Sequence, residues 1–238
     1  MSAQVRGTGS VIGLRWIPRY TTLERFLHWT HTVTFLALGA TGLILFVPWF
    51  APLARGEAGQ FVRLVHRICA VLFGAVPMLY AFSQPRRLLL WLKEMTFDRS
   101  DLAWLKNAFP YYVLGKHLAM PPQRRWNTGE KLNAIILVSA TILFGITGIL
   151  MWFGKGILPV WLFRASVILH DLTMILSVNM FIIHFYLAVA HPLMWQSLVS
   201  MRYGVVSESY AREHHGKWYW GGDGTPPPGL QEEGGGHS

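Results

Sequence analysis

Four long apolar runs dominate the chain: about Leu23–Phe50, Phe61–Phe82, Leu132–Phe153 and Ala165–Ala190. Each is long enough to cross a hydrocarbon core of about 30 Å as a helix. Only 14% of the 238 residues are charged, against about 25% in an average soluble domain. Glu24, Arg63, His66, Arg67 and Asp171 stand near run ends, where charge is least costly. The reading is therefore all-α: an integral-membrane four-helix bundle forming one domain.

Charge distribution orients it. The formal net charge of +9 could suit nucleic acid, but the basic residues lie where the positive-inside rule wants them. Most precede span 1, join spans 2 and 3, or follow span 4. The other two connections, about Ala51–Gln60 and Gly154–Arg164, carry only Arg55, Lys155 and Arg164. Both termini are expected to be cytoplasmic, with no nucleic-acid partner. The expected divisions are a cytoplasmic segment 1–20, a four-span unit 21–195 with a cytoplasmic connection 84–128, and a cytoplasmic tail 196–238. The tail is Gly/Pro-rich from about 221 and expected to be disordered there.

Local signals agree. Thr21 with Glu24, and Asn127 with Glu130, have the spacing of capping boxes and start spans 1 and 3. Pro48 and Pro52 close span 1, and Pro77 predicts a kink in span 2. The pieces Leu88–Met95 and Leu102–Phe109 suit an amphipathic stretch along the interface. The single cysteine, Cys69, excludes an internal disulfide and the C-x-x-C-H attachment of c-type haem, and reads as a small core residue.

Histidines carry the functional signal. Six fall in or at the ends of spans: His28, His31, His66, His170, His184 and His191. Imidazoles in hydrocarbon are costly and mark functional sites. His170 and His184 are fourteen residues apart, which on a helix is a rise of about 21 Å with a return to within roughly 40° of the same face. Chain direction sorts the rest by depth: His28 and His184 toward the inside, His66 and His170 toward the outside. Two level pairs on three helices suit two haems stacked across the bilayer, each with both axial positions filled for electron transfer. His31 could replace His28, and His191 could replace His184. His117, His214, His215 and His237 lie outside the spans and receive no ligand role. Gly39 and Gly42 share the His28 face, where they would let a flat macrocycle approach or simply pack helices.

These residues carry a family likeness. Glu24-Arg25-Phe26-Leu27-His28-Trp29-Thr30, His66, the His170/His184 spacing, Trp126-Asn127-Thr128-Gly129-Glu130-Lys131 and the tail from Gly204 through His214-His215 to Trp218-Tyr219 resemble the cytochrome b (gamma) subunit of membrane-bound respiratory formate dehydrogenase. The likeness covers roughly residues 20–220. It implies two haem b, ligated by His28/His184 and His66/His170, and a quinone, menaquinone or ubiquinone, lined by Asn127 and Gly129. It also implies an iron–sulfur (beta) subunit, a molybdenum or tungsten catalytic (alpha) subunit on the outer face, and a place in the bacterial inner membrane in anaerobic respiration. Formate oxidation itself would belong to the other subunit. The four-histidine layout is similar to that of the cytochromes b of nickel–iron hydrogenase and thiosulfate reductase. A stand-alone b561-type oxidoreductase and a haem-free, histidine-relay transporter are the alternatives from other classes.

Overall fold

The computed structural model describes residues 15–116, 118–192 and 194–226. The readings of residues 1–14, of His117 and His237, and of the tail from 227 onward lie outside these. Among the described residues, four helices are long and apolar enough to cross a membrane: α1 (Thr22–Phe46), α2 (Gly56–Ser83), α5 (Thr128–Phe153), and α6 (Val160–Phe185), which a π-helical turn continues to Ala190. Both expected capping boxes are present. Glu24 N–H donates to Thr21 Oγ1 and Thr21 N–H to Glu24 Oε2, and Asn127 and Glu130 exchange the same pair of bonds at 2.9 Å. Pro77 sits inside the continuous α2. Helix α2 begins at Gly56 and α5 at Thr128, four or five residues earlier than the apolar runs, because polar first turns belong to the helix although hydropathy does not mark them.

The spans are turned inside out relative to a soluble bundle. Val33, Leu79, Ile149 and Leu172 are exposed, whereas Thr34, Thr41, Thr147, Ser166, Thr173 and Ser177 are buried. Small hydroxylated residues let helices approach, and in hydrocarbon their hydroxyls return to their own helix backbone: Thr34 donates to Thr30 O and Ser177 to Thr173 O. Cys69 is half-buried and unbonded. Helix α1 packs closely along α2, and α5 along α6, so the bundle is two antiparallel hairpins. Between the hairpins packing is sparse.

At the basic end of the bundle a polar layer covers the helix ends. It contains α3 (Pro85–Glu94) and α4 (Arg99–Tyr112), where one interfacial stretch was expected; Asp98 breaks it by capping α4. The chain after the last span is folded, with α7 (Trp195–Tyr203), α8 (Glu208–His214) and a short α9 (Gly216–Tyr219). The fold is not wholly helical: β1 (Trp16–Pro18) pairs antiparallel with β2 (Val205–Ser207), Ile17 opposite Val206. Val206, Tyr210 and Ala211 make the layer's core against Ile17, Trp218 and Tyr219. Three ion pairs lace it to the spans, Arg19–Glu130 and Lys131–Asp101 at 2.8 Å and Arg125–Glu24 at 2.7 Å, and Lys217–Asp98 at 2.9 Å ties α9 to α4 within the layer.

Candidate functional site: two imidazole pairs between the hairpins

Helix α1 carries His28 six residues from its start, and α6 carries His184 six residues before the span ends at Ala190. The two rings meet with centroids 6.3 Å apart. On the other side of the membrane span, His66 of α2 meets His170 of α6 at 6.4 Å. Both pairs bridge from one hairpin to the other, across the sparsely packed seam. The rings that meet are the ones that the depth argument from chain direction had placed at one level.

The separations test what could lie between the rings. Imidazole nitrogens bind transition metals at about 2.0–2.1 Å, and a ring centroid lies roughly 1.15 Å behind its nitrogen. Two imidazoles on opposite sides of one iron thus have centroids roughly 6.3–6.5 Å apart. Both pairs fit bis-imidazole ligation. Among the described residues no group of three or more His, Cys, Asp or Glu could hold a metal. Pairs of this kind suit a metal whose other ligands come from a macrocycle.

The remaining span histidines are engaged elsewhere. His31 stacks on Phe73 of α2 with centroids 3.8 Å apart. His191, at the C-cap of the last span, is buried and lies with Nε2 3.2 Å from the carbonyl of Tyr112. Neither replaces a member of the pairs.

Each paired ring has a second polar neighbour or lacks one. His66 Nδ1 lies 2.8 Å from Thr41 Oγ1, and His170 Nδ1 lies 2.8 Å from Thr147 Oγ1. His184 Nδ1 is 3.5 Å from the amide of Asn133, and His28 Nδ1 is buried with no partner among the described residues. Phe144 and His170 make a T-shaped ring contact, as do Trp29 and His28. Gly42 lies beside His66, where a Cβ would come 3.8 Å from its Cε1, and not beside His28. Fourteen residues of rise carry it about 21 Å along the helix, to the level of the other pair.

Asn127 and Gly129 stand at the start of α5, at the basic end. Asn127 Oδ1 is taken by the cap, and a Cβ on Gly129 would come 3.0 Å from Trp104 of α4. The polar side chain that reaches His184 is Asn133, about 9 Å further along the same helix. Asn133 carried no role in the sequence reading, nor did Thr41 and Thr147. Their signal is a register one: each shares a depth with a histidine on the neighbouring helix.

A model of the prokaryotic cytochrome b561 family matches residues 19–204, which holds all four spans and both pairs. The chain belongs to that family. This makes it a membrane cytochrome b of electron transfer, and the family implies b-type haem. It is 24% identical over 208 residues to the cytochrome b556(Fdn) subunit of the nitrate-inducible formate dehydrogenase of Escherichia coli K12, covering 85% of this chain and 90% of that one. It is 26% identical to the formate dehydrogenase cytochrome b556 subunit of Haemophilus influenzae, covering 85% and 82%. The E. coli cytochrome b556(fdo) subunit is 24% identical, covering 85% and 92%. The likeness to formate dehydrogenase cytochromes drawn from the motifs is thus borne out across most of the chain.

Proposed function

We propose that this cytochrome b is the membrane subunit of a formate dehydrogenase in a bacterial cytoplasmic membrane. It would hold two haem b, one between His28 and His184 and one between His66 and His170. The observation that carries the reading is the pair of ring separations, 6.3 and 6.4 Å, repeated at two depths of one seam. The named relatives support the donor, since all are formate dehydrogenase subunits and match over 85% of the chain. Bound there, the haems supply one-electron carriers spanning the membrane.

In this reading the short-loop end faces outward and docks an iron–sulfur subunit, which receives electrons from a molybdenum or tungsten subunit oxidising formate. The basic end, with both termini, faces the cytoplasm, as the placement of Lys and Arg favours. A quinone, menaquinone or ubiquinone, is reduced there. Asn127 and Gly129 would line its pocket. With Oδ1 held in the cap, Asn127 offers its amide N–H groups to a quinone carbonyl.

The test is to purify the full chain with whatever co-purifies, count haems by pyridine haemochrome, and assay formate-dependent quinone reduction. Two b-type haems per chain are expected. His66→Ala and His170→Ala should each remove the same one, and His28→Ala and His184→Ala the other. No haem in a folded preparation, or different haems lost on substituting the two members of a pair, would overturn the ligand reading. Two haems without formate activity in the intact complex would overturn the donor.

A further inference from the structure

Six threonines in the spans, Thr32, Thr34, Thr41, Thr141, Thr147 and Thr173, donate their hydroxyl to the carbonyl four residues back. Two of these also touch an imidazole ring: Thr41, which donates to Ala37 O at 2.7 Å, and Thr147, which donates to Leu143 O at 2.7 Å. A hydroxyl has one proton. With it spent on the helix carbonyl, the oxygen can only accept from the imidazole 2.8 Å away. Nδ1 of His66 and of His170 must then carry hydrogen, and in the neutral ring Nε2 is left with the free lone pair. The same device occurs once in each hairpin, α1 to α2 and α5 to α6, both times at a Thr-Gly step, Thr41-Gly42 and Thr147-Gly148.

The inner pair has nothing equivalent. His28 Nδ1 is buried without a partner among the described residues, and His184 has only the amide of Asn133 at 3.5 Å. An imidazole whose far N–H is hydrogen-bonded is a more basic ligand and favours the higher oxidation state of its metal. The asymmetry between pairs therefore has a direction.

We propose that Thr41 and Thr147 are positioning residues. Their hydroxyls hold Nδ1–H of His66 and His170, turn Nε2 of both rings to one iron, and keep the outer haem easier to oxidise than the inner. With haems held at both pairs, an electron entering at the His66/His170 end would then have a downhill path toward the His28/His184 end. The inference rests on the ligand pairs proposed above.

Spectroelectrochemical titration of the haem-loaded complex tests it, with the outer haem identified as the one that His66→Ala removes. Thr41→Val and Thr147→Val keep the side-chain shape and delete the acceptor. Each should favour reduction of the outer haem by up to tenfold, a rise of 59 mV for a one-electron couple, and leave the inner haem unmoved. Thr41→Ser, which restores the acceptor, should titrate like the wild type. A valine variant that loses the outer haem while the serine variant keeps it also supports the hydroxyl's role. Unchanged outer potentials in both valine variants would overturn the proposal, as would a Thr41→Ser shifted as far as Thr41→Val. A folded wild-type chain with no outer haem would overturn the ligand reading itself, and this proposal with it.

Discussion

Lys131 is 1% exposed and its partner Asp101 is 2% exposed. Lys131 Nζ donates to both carboxylate oxygens, at 2.8 and 3.0 Å, and to Thr96 O at 3.1 Å. Thr128 Oγ1 donates to the same carboxylate at 2.7 Å. Burial alone would raise the Asp101 pKa, but the hydrogen bonds from Lys131 and Thr128 outweigh it and hold the group below its ordinary value. Removing one member of such a pair strands a buried charge. Lys131→Met should cost about 3–5 kcal/mol, read as a large drop in the thermal midpoint of the detergent-solubilised protein. Adding Asp101→Asn should recover part of the loss. The Arg15–Glu208 contact at 3.8 Å, with its arginine open to solvent, is long and screened and contributes little by comparison. Residue-level chemistry was legible only where the type itself is improbable: six histidines in or beside hydrocarbon demand a reason, and depth grouped four of them into the two pairs whose rings lie 6.3 and 6.4 Å apart. Asp101 offered no such signal, because an acidic residue in a polar connection is ordinary until the fold brings it against Lys131, 30 residues on.

At the scale of elements, the spans declared themselves and the layer over their basic ends did not. Twenty apolar residues in a row have few other structures available. The strands Trp16–Pro18 and Val205–Ser207 are three residues each, too short for an alternating pattern to emerge. They exist because nearly two hundred residues of intervening chain return β2 to β1. Gly204 makes that return possible. It ends α7 at φ +84°, its carbonyl accepts the N–H groups of Arg19 and Tyr20, and a Cβ on it would sit 2.7 Å from Tyr20 O. Gly204→Ala therefore combines left-handed backbone strain with a clash against main chain, and should cost about 1–3 kcal/mol. Loosening of the tail would appear as trypsin cleavage at Arg202 or Arg212 roughly tenfold faster, with the haem spectrum retained.

For the whole molecule, the layer's grip on the bundle should depend on pH. His215 is fully buried, and its Nδ1 lies 2.7 Å from Arg124 O. Burial, with the nearby Arg19 charge, pushes its pKa well below the ordinary value, and burial also lowers that of His214. An unfolded histidine takes up its proton near pH 6.5, so below that pH the unfolded layer binds more protons than the folded one. Stability is therefore complete above about pH 6.5 and falls as pH drops, by up to about 1.4 kcal/mol per unit for each such group. Asp98 and Asp101 are held low by their own partners, so they add the same sign of effect only at more acid pH. Tryptophan fluorescence of Trp126 and Trp218 during denaturation at pH 7.5 and 5.5 should show the loss, and His215→Gln should flatten it.

The sequence by itself determined that this chain crosses a membrane four times, which end of each span is basic, and which histidines share a depth. Those facts follow from transfer into hydrocarbon, from charge placement and from helical rise, all of them local. Only the tertiary structure decided that His31 turns to Phe73 and His191 to Tyr112, that Thr41 and Thr147 meet the imidazoles of His66 and His170, and that the tail folds back on the segment before α1. Each of those depends on the rotation of one helix against another and on contacts between distant residues, and periodicity along a single chain carries no information about either.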